Sequence, residues 1–241
     1  MTPLLSTAFC PPIEYFAVLA GYSSVYMEAC ESYAKQSWRN RCRILTANGP
    51  QDFVIPIIHD GVGGKKSVRE VRVEYATPWV AKFRRAVESA YGNSPYYIYY
   101  ADEFWKIFDE KPETLWKLNL KIISFLCSKT GIAPEIIPTS SYYRGEAKGF
   151  SFGSSLRSPH HRQAGGPPAT EPRVLRPSGE ASGFLDLREV IHPKRENSVM
   201  AEMGVGRPYW QVFREKFGFV GGLSVLDLLF NEGPESLGYL R

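Results

Sequence analysis

"PLLSTAFCPPIEYFAVLAGY" occupies residues 3–22, and its punctuation sets the fold class. "PLLSTAF" reads as a strand that Pro11–Pro12 ends. Proline is tolerated in the first turn of a helix. "PIEYFAVLAGY" then places Ile13, Phe16, Leu19 and Ala20 on one helical face, with Gly21 as the stop. "SVYMEA", from Ser24, reads as a second strand.

Working outward, residues 33–47 and 52–58 read as a strand pair joined at "ANGPQ", where Asn48–Gly49 is a hairpin signal. "REVRVEY", 69–75, alternates Val71, Val73 and Tyr75 with Arg72 and Glu74, the pattern of a strand with one wet face. Amphipathic stripes predict helices over 79–91, over the second half of 96–108, and over 113–130 with Gly131 as the stop. "PEIIPTSSYY" reads as a further strand. Pro208 opens a predicted helix, "PYWQVFREKF", that Gly218 ends, and "LSVLDLLFNEGPESLGYL" gives the last one. Ser224 and Asp227 have the spacing of a capping box. Alternating strands and helices predict an α/β fold, a mixed sheet with packed helices, whose strand order is not readable. One main domain is expected over 1–241. Residues 145–182 are rich in Gly, Pro and Ser, and are expected to form a mobile insertion. His160 and His161 lie in it.

The chain has 241 residues, 44% of them hydrophobic, enough for a sizeable core. A net charge of +4 and a pI near 8.8 fall short of the dense basic stripe of a nucleic-acid binder. Small anionic ligands suit that balance better. Cys10, Cys30, Cys42 and Cys127 are far apart and lack metal-site spacing, which points to reduced thiols and a cytoplasmic setting. No apolar window of about 18 residues predicts a membrane span. The N-terminus lacks the basic region of a signal peptide. No GxGxxG, Walker, HExxH or GxSxG motif occurs, and "DGVGGKK", 60–66, reads as a hairpin loop.

Three stretches carry candidate chemistry. In "YAKQSWRNRCRI", 33–44, strand alternation puts Arg39, Arg41 and Arg43 on one face, and Trp38, Asn40, Cys42 and Ile44 on the other. Either the arginines pair with acids such as Glu31 or Glu74, or their planar forks face a phosphate or carboxylate ligand. Lys35 lies beside them. "DLREVIHPK", 186–194, gathers Asp186, Arg188, His192 and Lys194, and a histidine near a carboxylate can serve as a general base. "YWQVF" and "LLFNEGPES" contribute Gln211, Asn231 and Glu232; a helix C-cap is the plain alternative for the last two.

"PPIEYFAVL" (11–19), "YAKQSWRNRCRILTANG" (33–49), "WVAKFRRAVESAYGNSPYYIYYAD" (79–102), "LDLREVIHPK" (185–194) and "YWQVFREKFGFVGGLSVLDLLFNEGPES" (209–236) together resemble the WbqC-like family of bacterial proteins. The resemblance runs nearly end to end, outside 145–182. It departs at Phe83, where relatives often carry His, and at Gly222, where they often carry Asn. It implies a place in surface-polysaccharide (O-antigen) biosynthesis, with transfer of an acyl or aminoacyl group, glycyl among them, to an amino sugar. On that reading Arg39 and Arg41 hold the phosphates of a nucleotide-sugar or acyl donor. His192 or Glu232 takes the proton, and Asp186 assists. Asn40 and Gln211 orient the carbonyl, and Lys35 or Arg188 stabilises the oxyanion. Lys194 and Asn231 complete the binding set, and no cofactor is called for. The alternative is a non-catalytic sugar-phosphate-binding protein, or a scaffold for pathway enzymes, using aromatic residues such as Tyr96, Tyr97, Tyr99 and Tyr100.

Overall fold

The computed structural model describes residues 1–58, 66–144 and 183–241. Along the chain come β1 (Pro3–Ser6), α1 (Ile13–Gly21), β2 (Ser24–Glu28), β3 (Arg41–Thr46) and β4 (Gly49–Val54). Next are α2 (Trp79–Tyr91), α3 (Tyr97–Asp109), α4 (Leu115–Thr130), β5 (Glu135–Pro138) and β6 (Leu185–Asp186). The short turns α5 (Val199–Glu202) and α6 (Arg214–Phe217) precede α7 (Val225–Glu232) and α8 (Leu237–Leu240). The α/β class is as the sequence predicts. The expected insertion at 145–182, with His160 and His161, lies outside the described residues, as does most of the 60–66 loop.

β1, β2, β5 and β6 form a parallel sheet in the order β5-β2-β1-β6, with Ser6 opposite Glu28 and Leu4 opposite Asp186. All four β1 positions are buried, as an apolar run in an interior parallel strand should be. α1 buries every residue from Ile13 to Ala20 except Glu14. A helix apolar all round belongs inside, and α1 is covered by α5, α7 and α8.

β3 and β4 pair antiparallel as a separate hairpin, with Thr46 opposite Gly49 at the turn and Arg43 opposite Asp52. α2, α3 and α4 pack beside it around an aromatic cluster. Phe83 is fully buried there, its ring 4.9 Å from Phe53, 5.3 Å from Phe9 and 5.7 Å from Trp105. A histidine at this position would stand in a closed aromatic core.

The last helix, expected as one over 223–240, breaks at Gly233 into α7, a 3-10 turn and α8, the strand expected over 52–58 is Gly49–Val54, and three further elements differ. The strand expected from residue 33 begins only at Arg41; Trp38–Asn40 is a single 3-10 turn, so Arg39 leaves the face shared by Arg41 and Arg43. Residues 69–75 make isolated bridges, Val73 to Ile57 and Arg72 to Thr114, instead of a strand. The helix expected from Pro208 is reduced to Arg214–Phe217. There the Gln211 amide binds the Val220 backbone on both sides, donating to its carbonyl and accepting from its N–H, each at 2.9 Å. That side-chain clamp holds 209–211 out of helical form. Ser224 does cap α7 through the Leu226 N–H, but Asp227 turns inward instead of completing the box.

Candidate functional site at the carboxyl ends of the parallel strands

The chain leaves β1 for β2 on one side, and β6 lies on the other. In open parallel sheets such a reversal leaves a crevice outside the carboxyl ends of the strands, where ligands bind. Here Ser6 ends β1 and Thr7 follows it, Leu187, Arg188, Ile191 and His192 follow β6, and Arg39 lies between. The crevice is narrow, about 10 Å³, room for one water-sized group. Trp38, Ile191 and His192 also wall a larger cavity of about 330 Å³, together with Glu14, Arg43 and Gly222.

The guanidiniums here already have carboxylates. Arg39, 4% exposed, binds Glu31 through Nε (2.8 Å) and Nη2 (2.5 Å), and Nη2 also reaches the Ser6 hydroxyl at 2.7 Å. Arg188 grips Asp186 through Nε at 2.9 Å and Nη2 at 2.5 Å, and donates from Nη1 to Glu28 at 3.2 Å. Glu28 is fully buried and also accepts from Thr139 Oγ1 (2.6 Å), the Cys30 N–H (2.9 Å) and the Tyr143 N–H (3.0 Å). Buried charges persist only when paired and hydrogen-bonded in this way. The Arg188 charge is accordingly stabilised by Asp186, against the opposing effect of burial. Arg41 and Arg43 share Asp52, at 3.0 and 2.7 Å. Burial raises the Asp52 carboxyl, but the two guanidiniums outweigh it and hold it below its ordinary value. Of the two readings of the arginine-rich stretch, pairing with acids is what the side chains display, with Glu31 as one of the acids named from sequence and Asp52 as an unforeseen one.

Two uncharged groups remain available. The Thr7 hydroxyl is buried in the crevice wall and finds no hydrogen-bond partner among the described residues. His192 is half-buried, and its Nδ1 accepts the Lys194 N–H at 3.2 Å. In a neutral imidazole whose Nδ1 accepts, Nε2 carries the proton. Desolvation lowers the His192 pKa, favouring that neutral form at pH 7.

The structure brings together Arg39, Arg188, Asp186 and His192 from the predicted set. Asn40 is buried close by and donates to the Ile55 carbonyl at 2.8 Å. Lys35 is exposed, and the exposed Lys194 ammonium binds the Gln36 side chain. Gln211, Asn231 and Glu232 line neither the crevice nor the larger cavity. They belong to a second cluster centred on Asp227, which is fully buried and accepts from Tyr209 Oη at 2.6 Å and Gln211 Nε2 at 2.8 Å. Burial pushes the Asp227 carboxyl up to about 6, the hydrogen bonds from Tyr209 and Gln211 pulling partly back. Asn231 Nδ2 donates to the Asp227 carbonyl at 2.8 Å, and Glu232 accepts the Trp210 N–H at 2.9 Å. Gly233 follows with φ +53°; a Cβ there would lie 2.4 Å from the Tyr96 ring, so the turn needs glycine.

Sequence reasoning missed Ser6, Thr7, Glu14 and Glu28. The available signal was a polar pair, Ser6–Thr7, closing an apolar strand just before a helix.

The model of the WbqC-like protein family matches residues 7–156. An uncharacterized protein of Mycobacterium tuberculosis, Rv1507c, is 29% identical over 239 residues, covering 99% of this chain and 96% of that one. No solved structure matches the chain. Among the described residues, no helix is long and apolar enough to cross a membrane.

Proposed function

The chain belongs to the WbqC-like protein family, and on that premise we propose that it is a cytoplasmic enzyme of bacterial surface-polysaccharide (O-antigen) biosynthesis. It transfers an acyl or aminoacyl group, glycyl among them, to an amino sugar or nucleotide-linked amino sugar. The observation that carries the reading is the crevice at the β1/β6 reversal, with a buried hydroxyl, Thr7, that has no partner among the described residues, and His192 at the shared wall. A site that leaves a buried polar group unsatisfied is prepared to pair it with a ligand. The 330 Å³ cavity is of the size that admits a sugar ring. Arg39, Arg188 and Asp186 act as the rigid frame that holds the crevice open.

The test is to incubate the pure protein with a nucleotide-linked amino sugar, coenzyme A thioesters, and glycine with ATP, and to look by mass spectrometry for an acylated sugar. Transfer abolished by His192→Ala supports the reading. A sugar left unmodified by every donor would reject it.

A binding or scaffold role draws on a different observation. Ile98 and Tyr99 on α3 are 77% and 74% exposed. An exposed aliphatic and aromatic pair of this kind suits an interface with a pathway enzyme. Loss of partner capture in Tyr99→Ala, with no turnover by wild type, would favour it.

A further inference from the structure

Glu14 is the one charged residue of α1, and it stands in the wall of the larger cavity with His192. Among the described residues, no other side chain donates to its carboxylate in a hydrogen bond or ion pair. Gly222 lies opposite with φ +67°, and a Cβ there would meet Glu14 Oε1 at 3.8 Å. A glycine at that point leaves space in front of the carboxylate. The neighbouring cations are already held: Arg39 by Glu31, Arg188 by Asp186 and Glu28, Arg195 by Glu189, and Arg43 by Asp52 and the Pro193 carbonyl. His192 offers an N–H, because its Nδ1 lone pair is engaged by the Lys194 N–H.

We infer that Glu14 is the proton acceptor of this cavity and His192 its neutral hydrogen-bond donor, so that the cavity takes the amine-bearing group of its ligand and not an anionic group. The inference rests on the group-transfer reading above; it gives Glu14 the proton-accepting role that the sequence suggested for His192 or Glu232, and gives His192 the oxyanion role suggested for Lys35 or Arg188. Burial raises the Glu14 pKa, with its own backbone N–H and the Arg43 charge pulling partly back, which makes it a stronger base than an exposed glutamate. Around His192, Glu189 opposes the shift while Arg195, Arg39 and Lys194 reinforce it; Glu14, Arg43 and Glu196 also face the cavity.

In the transfer step, the amine nitrogen attacks the carbonyl carbon of an acyl thioester. The C–N bond forms, and the bond to the leaving sulfur breaks with its electron pair. The nitrogen's proton passes to Glu14, while His192 Nε2–H stabilises the carbonyl oxygen. Glu14 then returns the proton to the leaving group.

Two measurements on the whole protein test this. Long-range nitrogen–proton correlation spectra, with His192→Gln identifying the signals, should show His192 as the Nε2–H tautomer at pH 7. Titration with glucosamine should move the Glu14 carboxyl carbon, identified by Glu14→Gln, whereas inorganic phosphate should not. The Nδ1–H tautomer, a response to phosphate in place of glucosamine, or no Glu14 response to either probe would each overturn the inference. Where transfer is observed, Glu14→Gln should slow it about 10²–10⁴-fold. Transfer that survives Glu14→Gln unchanged would sink the role of Glu14 and leave the enzyme reading intact. Spectra as expected, with no transfer from any donor, would sink the enzyme reading and leave the cavity chemistry standing.

Discussion

At the carboxyl ends of the parallel strands, Glu28 and Glu31 are buried against guanidiniums; on α7, Asp227 is buried against a phenol and an amide. Each carboxylate of the first pair is matched by a cation, Arg188 for Glu28 and Arg39 for Glu31. Asp227 receives good hydrogen bonds but no cation, and its pKa rises to about 6. Hydrogen bonds to a carboxylate offset part of the water it loses on burial; at Asp227 burial outweighs them, and a counter-charge would offset more. The difference separates a rigid ionic frame from a cluster that responds to pH.

Breaking the frame should cost most. Arg39→Met leaves Glu31 buried without its cation and should destabilise by about 3–5 kcal/mol in urea unfolding. Adding Glu31→Leu should recover most of that loss, since a buried pair replaced by apolar groups is often neutral. A double variant as unstable as the single one would show that Arg39 acts through something other than this pair.

The Asp227 cluster should give the next largest effect. Its folded pKa of about 6 lies above the ordinary value of 3.8, so between those values the native state binds more protons than the unfolded chain. Stability from this group is therefore full below about pH 4 and declines as pH rises toward 6, by on the order of 3 kcal/mol. Asp227→Asn should flatten that part of the stability profile. An unchanged slope would mean that the charge of Asp227 is compensated after all.

The sequence made the β1–α1–β2 unit legible because Pro11–Pro12 and Gly21 punctuate it and α1 is apolar. The β3–β4 hairpin followed from Asn48–Gly49. Alternation failed ahead of Arg41, because a 3-10 turn has no two-residue period, and so Arg39 was placed on the wrong face. Arg39, Arg188 and His192 were legible as members of two dense clusters of charged and titratable residues, 33–44 and 186–194. Their carboxylate partners were harder to see: Glu28 and Arg188 are 160 residues apart and meet only through strand order. Glu14 was hidden because a lone acid in the first turn of a helix already has a local explanation.

A smaller effect is expected at the hairpin. Arg41 and Asp52 are partly exposed, at 20% and 26%, and Asp52 retains Arg43 when Arg41 is lost. Arg41→Met should cost about 1 kcal/mol or less. A cost matching that of Arg39→Met would erase the distinction between the frame and its rim. Smallest of all, Thr7→Val removes an unpartnered hydroxyl while keeping its shape, and should be neutral or stabilising by up to about 1 kcal/mol.

That last variant gives the most direct test of the claim that the crevice is a ligand site. Thermal stability of wild type and Thr7→Val should be measured against nucleotide-linked amino sugars, coenzyme A thioesters, ATP and glycine. A ligand at about 100 times its Kd adds roughly 2.7 kcal/mol. The account requires at least one of these ligands to stabilise wild type, with the gain largely lost in Thr7→Val although that variant folds as well. A gain of equal size in both proteins would place the ligand elsewhere and contradict it.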